Sequence, residues 1–152
     1  MIRNIRGLRI AVALSGGIDS SAAAKMLLDA GHEVVGVHMK NWNTDDEEGG
    51  QVCPLEQDRN DALDMCNRLG IEFEEISFAK EYWTDVFEPV LESYQKGHET
   101  PNPDTSCNKY IKFRQLKRFM LESPKINADA MATGHYALIG IKHHTVILKE
   151  IK

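Results

Sequence analysis

A short apolar run, LRIAVAL at residues 8–14, passes without a break into SGGIDS at residues 15–20, and this junction constrains the fold more than any other feature. The run is short and holds the β-branched residues Ile10 and Val12, which predicts a buried strand. A helix is predicted over residues 21–30, stopped by Gly31. A strand, a glycine-bearing turn and a helix in that order make an anion site. Gly16 and Gly17 let the backbone approach phosphate oxygens and take up positive φ. The helix N-terminus presents unpaired N–H groups and a partial positive charge, and Ser15 and Ser20 add hydroxyl donors. Asp19 cannot face a phosphate directly; the partner that suits it is Mg²⁺ held against the phosphates. The competing reading is a tight strand-to-helix turn with Asp19 or Ser20 as N-cap. The loop is not a Walker A motif, since no Lys-Ser/Thr pair follows its glycines, and it is not G-x-G-x-x-G.

Strand and helix signals then alternate. Further strands are predicted over residues 33–39, 71–78 and 128–133. Helices are predicted over 55–69, over 81–95 with a kink at Pro89, and over 108–121. Residues 41–51 and 97–106 read as loops, and 138–152 as at most one more strand. Such alternation implies parallel pairing and an α/β fold: a Rossmann-like parallel sheet with helices on both faces and the ligand at the C-terminal strand ends.

Net charge, −5 over 152 residues, does not mark a nucleic-acid binder, but its distribution is uneven. Residues 45–104 hold 17 acids against four bases, and residues 105–125 hold six bases against one acid. That basic stretch is suited to phosphates or, equally, is a solvated helix face. No apolar run reaches the roughly 20 residues that span a bilayer, so no membrane association is expected. Arg3, Arg6 and Arg9 stand in an N-terminal segment too short for a complete mitochondrial presequence. Three cysteines without regular spacing argue against a disulfide scaffold and against zinc. Cys66 reads as core, Cys53 as part of an exposed acidic segment, and the acidic run 45–48 as a solvated loop.

The second constellation is TPNPDTSCN at residues 100–108. Cys107 is predicted at or beside the start of the basic helix, where the helix dipole, Lys109 and Lys112 would lower its pKa and favour the thiolate. Pro101 and Pro103 stiffen the loop carrying Asn102 and Asp104, and the spacing lets Asp104 share a site with Cys107. Alternatively, Asp104 caps the helix and Cys107 is a small core residue. His135 either lines a ligand cleft or is structural.

The phosphate loop resembles the SGGxDS loop of the ATP pyrophosphatase superfamily, whose members cut ATP between the α and β phosphates. ALSGGIDS, GVHMKNW, DEEG, EYWTDVF, TPNPDTSCNKYIKF and ATGHYA, in this order, resemble the tRNA-specific 2-thiouridylase family, from about residue 9 to 137. The resemblance implies ATP-dependent 2-thiolation of a tRNA wobble uridine, by adenylation of the base and sulfur transfer from a cysteine persulfide. Cys107 would be the sulfur-carrying nucleophile and Asp104 an acid/base. Asn102, Pro103 and Asp104 would lie against the target base, which must be extruded from its stack. Ala13, Leu14, Ser15, Gly16, Gly17, Ile18, Asp19 and Ser20 would hold the ATP phosphates, with Asp19 toward Mg²⁺, while Met39 and Gly134 flank the nucleotide. The implied partners are tRNA and a persulfide sulfur donor protein. The implied compartment is the mitochondrion for a eukaryotic source and the cytoplasm for a bacterial one.

The family also has a second cysteine about a hundred residues downstream that forms a disulfide with the first, a Lys-Asp-Gln element, and tRNA-binding domains. None of these is within these 152 residues, and LIGIKHHTVILKEIK from residue 138 departs from the pattern. Residues 1–137 are thus expected to form the ATP-binding and thiolation domain. Residues 138–152 form a divergent tail, as in an alternative ending, a gene-model error or a truncated isoform. A nucleotide-binding fragment without turnover is the alternative function. An amide-forming synthetase ranks last, because it leaves the cysteine string unexplained.

Overall fold

The computed structural model describes residues 7–41, 54–97 and 102–135, together with the backbone of strands at 137–142 and 145–150. Arg3, Arg6, the acidic run 45–48, Cys53 and Pro101 lie outside those residues. The first unit is β1 (Arg9–Leu14), α1 (Ile18–Asp29) and β2 (Glu33–Lys40). Then come α2 (Pro54–Leu69), β3 (Glu72–Ser77) and a helical stretch of three parts: α3 (Ala79–Tyr82), π-helical turns at Trp83–Phe87, and α4 (Glu88–Gln95). Pro89, where a kink was expected, is the second residue of α4, directly after the π-helical turns, a place where its missing N–H breaks no bond of α4.

A second helical stretch runs from α5 (Pro103–Ser106) through π-helical turns at Cys107–Leu116 into α6 (Lys117–Glu122), and β4 (Ala130–Thr133) follows. The sheet order is β3-β2-β1-β4, and every pairing in it is parallel, as the sequence implied. β5 (Ala137–Lys142) and β6 (Thr145–Glu150) pair separately as an antiparallel hairpin, where at most one strand was expected.

Strand alternation separates two cores. Ile10, Val12 and Leu14 pack with Ala24 of α1 and with Ala62 and Cys66 of α2. Ala11, Val35 and Val37 face Ile111, Leu116 and Met120 on the other side of the sheet. Each of these larger side chains contributes roughly 1.5–3 kcal/mol by leaving water. Cys66 is core, as its place on the apolar stripe of α2 implied, and burial pushes its thiol up to about 11. Gly36 permits the contact between β2 and α2, because a Cβ there would collide with Cys66 Sγ and with Leu14. At the other end of the strands Arg9 binds Glu33, Glu72 (2.6 Å) and the carbonyl of Ile126 (2.7 Å).

Candidate nucleotide and sulfur site

A cleft of about 760 Å³ opens at the C-terminal ends of the parallel strands. β1 contributes Ala13 and Leu14, β2 contributes His38 and Met39 with Asn41 just beyond it, and β4 leads into Thr133, Gly134 and His135. Ser15, Gly17, Asp19 and Ser20 line it as well. Gly16 and Ile18 of the expected phosphate-binding set do not. Gly16, at φ +80, presses on the main chain of α2, where a Cβ would sit 2.6 Å from the carbonyl oxygen of Asp58. Ile18 is 87% exposed.

SGGIDS is only half a loop. α1 starts at Ile18, three residues earlier than expected, and its N-cap is Gly17, without a side-chain capping bond. Neither Asp19 nor Ser20 is the cap. The Ser20 hydroxyl instead donates to the Gly17 carbonyl (3.0 Å) and accepts from the Ser15 N–H (3.3 Å). These bonds brace the turn and leave the start of α1 open toward the cleft, the arrangement that receives an anion. Gly134 closes the opposite side: a Cβ on it would lie 2.6 Å from the Ser20 nitrogen and 2.7 Å from the Asp19 carbonyl carbon. The cleft thus depends on two glycines at which main chain meets main chain.

Its charge is mixed. Lys40 and Lys112 face it, as do Asp19, Glu56 and Asp58, while Arg59 is bound to Glu75 at 2.6 Å. No cluster of three His, Cys, Asp or Glu side chains able to hold a metal occurs among the described residues. A Mg²⁺ at Asp19 would therefore take most of its ligands from phosphate and water, which is its usual habit.

Cys107 is buried, in contact with the core between sheet and helices, and does not itself line the cleft. The expectation of a lowered pKa is wrong. The helix begins at Pro103, with Asn102 as its N-cap accepting from the Asp104 N–H at 2.9 Å, so Cys107 lies a full turn inside and far from the strongest dipole. Lys109 turns over the Tyr110 ring instead of toward the sulfur. Burial pushes the thiol pKa up; Lys112 pulls it down, Asp104 pushes it up, and a hydrogen bond from Asn41 pulls it down. Tyr82 stands in the same neighbourhood, its phenol pushed up by burial and by Cys107 and Asp104. Asn102, Pro103 and Asp104 are exposed beside this buried sulfur. Asp104 is the helix residue whose N–H is capped, not the cap.

Asn41 was missed in the sequence because it was read only as the first residue of a loop. Its Nδ2 donates to Cys107 Sγ at 3.8 Å across 66 residues. His38 was read only as strand; its Nδ1 meets the Leu14 carbonyl at 2.9 Å and ties the ends of β1 and β2 together beneath the cleft. His135 lines the cleft, as one of its two readings had it, with its ring 5.3 Å from that of Phe113.

Fold and cleft together define a Rossmann-like α/β domain with a phosphate-type loop at its strand ends. A family model described as the tRNA methyl transferase HUP domain matches residues 8–151, and the chain belongs to that family. The tRNA-specific 2-thiouridylase MnmA of Staphylococcus haemolyticus (strain JCSC1435) is 47% identical over 134 residues, which are 88% of this chain and 35% of the relative. Its counterpart in Staphylococcus aureus (strain JH9) is 46% identical, over 88% of this chain and 34% of the relative. The chain therefore spans about a third of the length of these relatives. A crystal structure described as a predicted subunit of tRNA methyltransferase from Methanocaldococcus jannaschii shares the fold, with a TM-score of 0.54 at 16% identity over 84% of this chain and 52% of that one.

Proposed function

We propose that this chain is the nucleotide-activating and sulfur-carrying part of a tRNA 2-thiouridylase. The observation that carries the reading is the joining of two chemistries by one side chain: Asn41 lines the phosphate-type cleft and also touches Cys107 Sγ. The uridine O2 attacks the α-phosphorus of ATP and pyrophosphate leaves. The open start of α1, Lys40 and Lys112 offset the charge on the phosphates, and Asp19 would hold Mg²⁺, which supplies further charge neutralisation. The terminal sulfur of a Cys107 persulfide then attacks C2 and AMP departs. A persulfide places that sulfur roughly 2 Å beyond Sγ, which lets a buried cysteine serve an open cleft.

The base remains linked to Cys107 through a disulfide until a second thiol attacks Sγ. Cys66 cannot be that thiol, since it packs against the opposite face of the sheet. Cys53 lies outside the described residues; the thiol is that cysteine, one in a longer chain of the relatives' type, or a reductant. tRNA and a persulfide donor protein complete the proposal, with the cytoplasm as compartment for a bacterial source and the mitochondrion for a eukaryotic one.

The test is incubation of the chain with ATP, Mg²⁺, tRNA and a persulfide donor, with AMP and 2-thiouridine quantified. With Cys107 loaded beforehand and the donor removed, at most one equivalent of base-linked sulfur per Cys107 is expected without added thiol, and none in Cys107→Ala. More than one equivalent from the preloaded chain, or product from Cys107→Ala, overturns the reading.

A further inference from the structure

We propose that Asn41 is a positioning residue for the sulfur on Cys107, holding it by the Nδ2–H and directing it into the nucleotide cleft. This rests on the reading of Cys107 as the sulfur carrier. The two residues belong to different parts of the fold. Asn41 directly follows the last residue of β2, so the register of the parallel sheet sets its place. Cys107 sits on the helical layer packed over that sheet. The described hydrogen bond to Sγ thus runs from the cleft wall to the layer behind it.

The two ends of the Asn41 amide are unequal. Its Nδ2 is spent on the sulfur, while its Oδ1 is buried and has no hydrogen-bond partner among the described residues. Buried amide oxygens ordinarily have a partner, so the open Oδ1 of this half-buried asparagine sets it apart. Which end faces the sulfur is also informative. A thiolate or persulfide anion accepts an N–H more strongly than a neutral thiol does. The amide therefore favours the anion, in a pocket where burial and Asp104 oppose one. The groups that face the sulfur are Asp104 from α5, Lys112 from the next helical turns, Tyr82 from α3 and Asn41 from the sheet. Lys112 supplies charge without direction. Asn41 supplies direction from the side where the nucleotide would lie.

The experiment follows alkylation of Cys107 by iodoacetamide against pH in the full chain, resolved by mass spectrometry from Cys53 and from the buried Cys66. Wild type, Asn41→Ala and the isosteric Asn41→Asp are compared. Asn41→Ala should slow Cys107 alkylation at pH 7.5 by about tenfold, the effect of a tenfold smaller anionic fraction, while the limiting rate at high pH is retained. Asn41→Asp should slow it further, because a carboxylate then faces the sulfur. A looser pocket would instead speed alkylation at every pH and release Cys66 as well, and that outcome overturns the proposal. An unchanged pH midpoint in both variants, with unchanged circular dichroism, also overturns it. A parallel arm loads the wild type with a small-molecule persulfide and measures cyanolysable sulfur on Cys107. If none is found, the sulfur-carrier reading falls, and the Asn41 proposal falls with it whatever the alkylation shows.

Discussion

Residues 15–20 and residues 102–112 stand on two sides of the proposed site, and they would build its chemistry by different means. In the first, the working groups are main chain: the open start of α1, a turn held by the Ser20 hydroxyl, and glycines pressed against neighbouring backbone. In the second, the working group is one side chain, and its reactivity depends on burial and on what surrounds it. A site made of backbone is written in a few consecutive residues. A site made from the environment of a side chain is written across the whole fold.

The strongest challenge to this contrast is Gly134→Val. The added atoms would meet the main chain of Asp19 and Ser20, which cannot swing aside. Urea denaturation should show a loss of about 3 kcal/mol, and nucleotide titration should show binding abolished. A stable variant with intact binding would mean that the backbone approach is dispensable.

Across the sheet, Cys66 offers a comparison for the buried sulfur. A thiol raised in the folded state stabilises fully below its ordinary value, and that contribution is lost as pH rises through the folded value. Between pH 9 and about 11 the loss should be about 2–3 kcal/mol, with Cys107 and Tyr82 adding in the same direction. Denaturation curves over that window should flatten in Cys66→Ala.

Gly17→Val separates ligand from fold. Gly17 is extended, at φ −81, and a Cβ there meets only the Ser15 hydroxyl at 3.4 Å. Stability should change little while nucleotide affinity falls at least tenfold, about 1.4 kcal/mol, since the side chain enters the cleft. Equal losses in both would place Gly17 with Gly134 as a packing residue.

The smallest effect belongs to Asn102→Ala. Losing the cap on the Asp104 N–H should cost about 1 kcal/mol, and Asn102→Asp should restore it. Thermal denaturation of the pair checks this. No loss would leave Asn102 without its structural role.

The legible parts of the sequence follow the same division. β1 to β4, their parallel pairing and the strand-to-helix loop were readable because local period and glycine placement carry them, whereas the order β3-β2-β1-β4 was not. The start of α1 was misplaced because Gly17, with no polar side chain, occupies the cap. The Cys107 environment was misjudged because string adjacency suggested a helix start, whereas the helix had begun at Pro103. Asn41 was invisible for a different reason: its partner is 66 residues away, and no spacing rule reaches that far. The β5–β6 hairpin escaped because His143 and His144, the residues between its strands, carry no turn signature.

The wide turns at Cys107–Leu116 work as a phase shift. In an α-helix, five residues rotate a side chain roughly 140° from the starting direction. Bonding from i to i+5 brings residues five apart onto nearly the same face, and Cys107 and Lys112 are such a pair. The charge of Lys112 acts on the sulfur from this face, pulling its pKa down, because the helix here is wound one residue slack. Deleting one residue from 108–110 would let ordinary winding do the same work, because Lys112 would become the fourth residue after the sulfur and i, i+4 pairs share a face. The cost would fall on the core, where Ile111 and Leu116 would shift out of step with the seam they now fill.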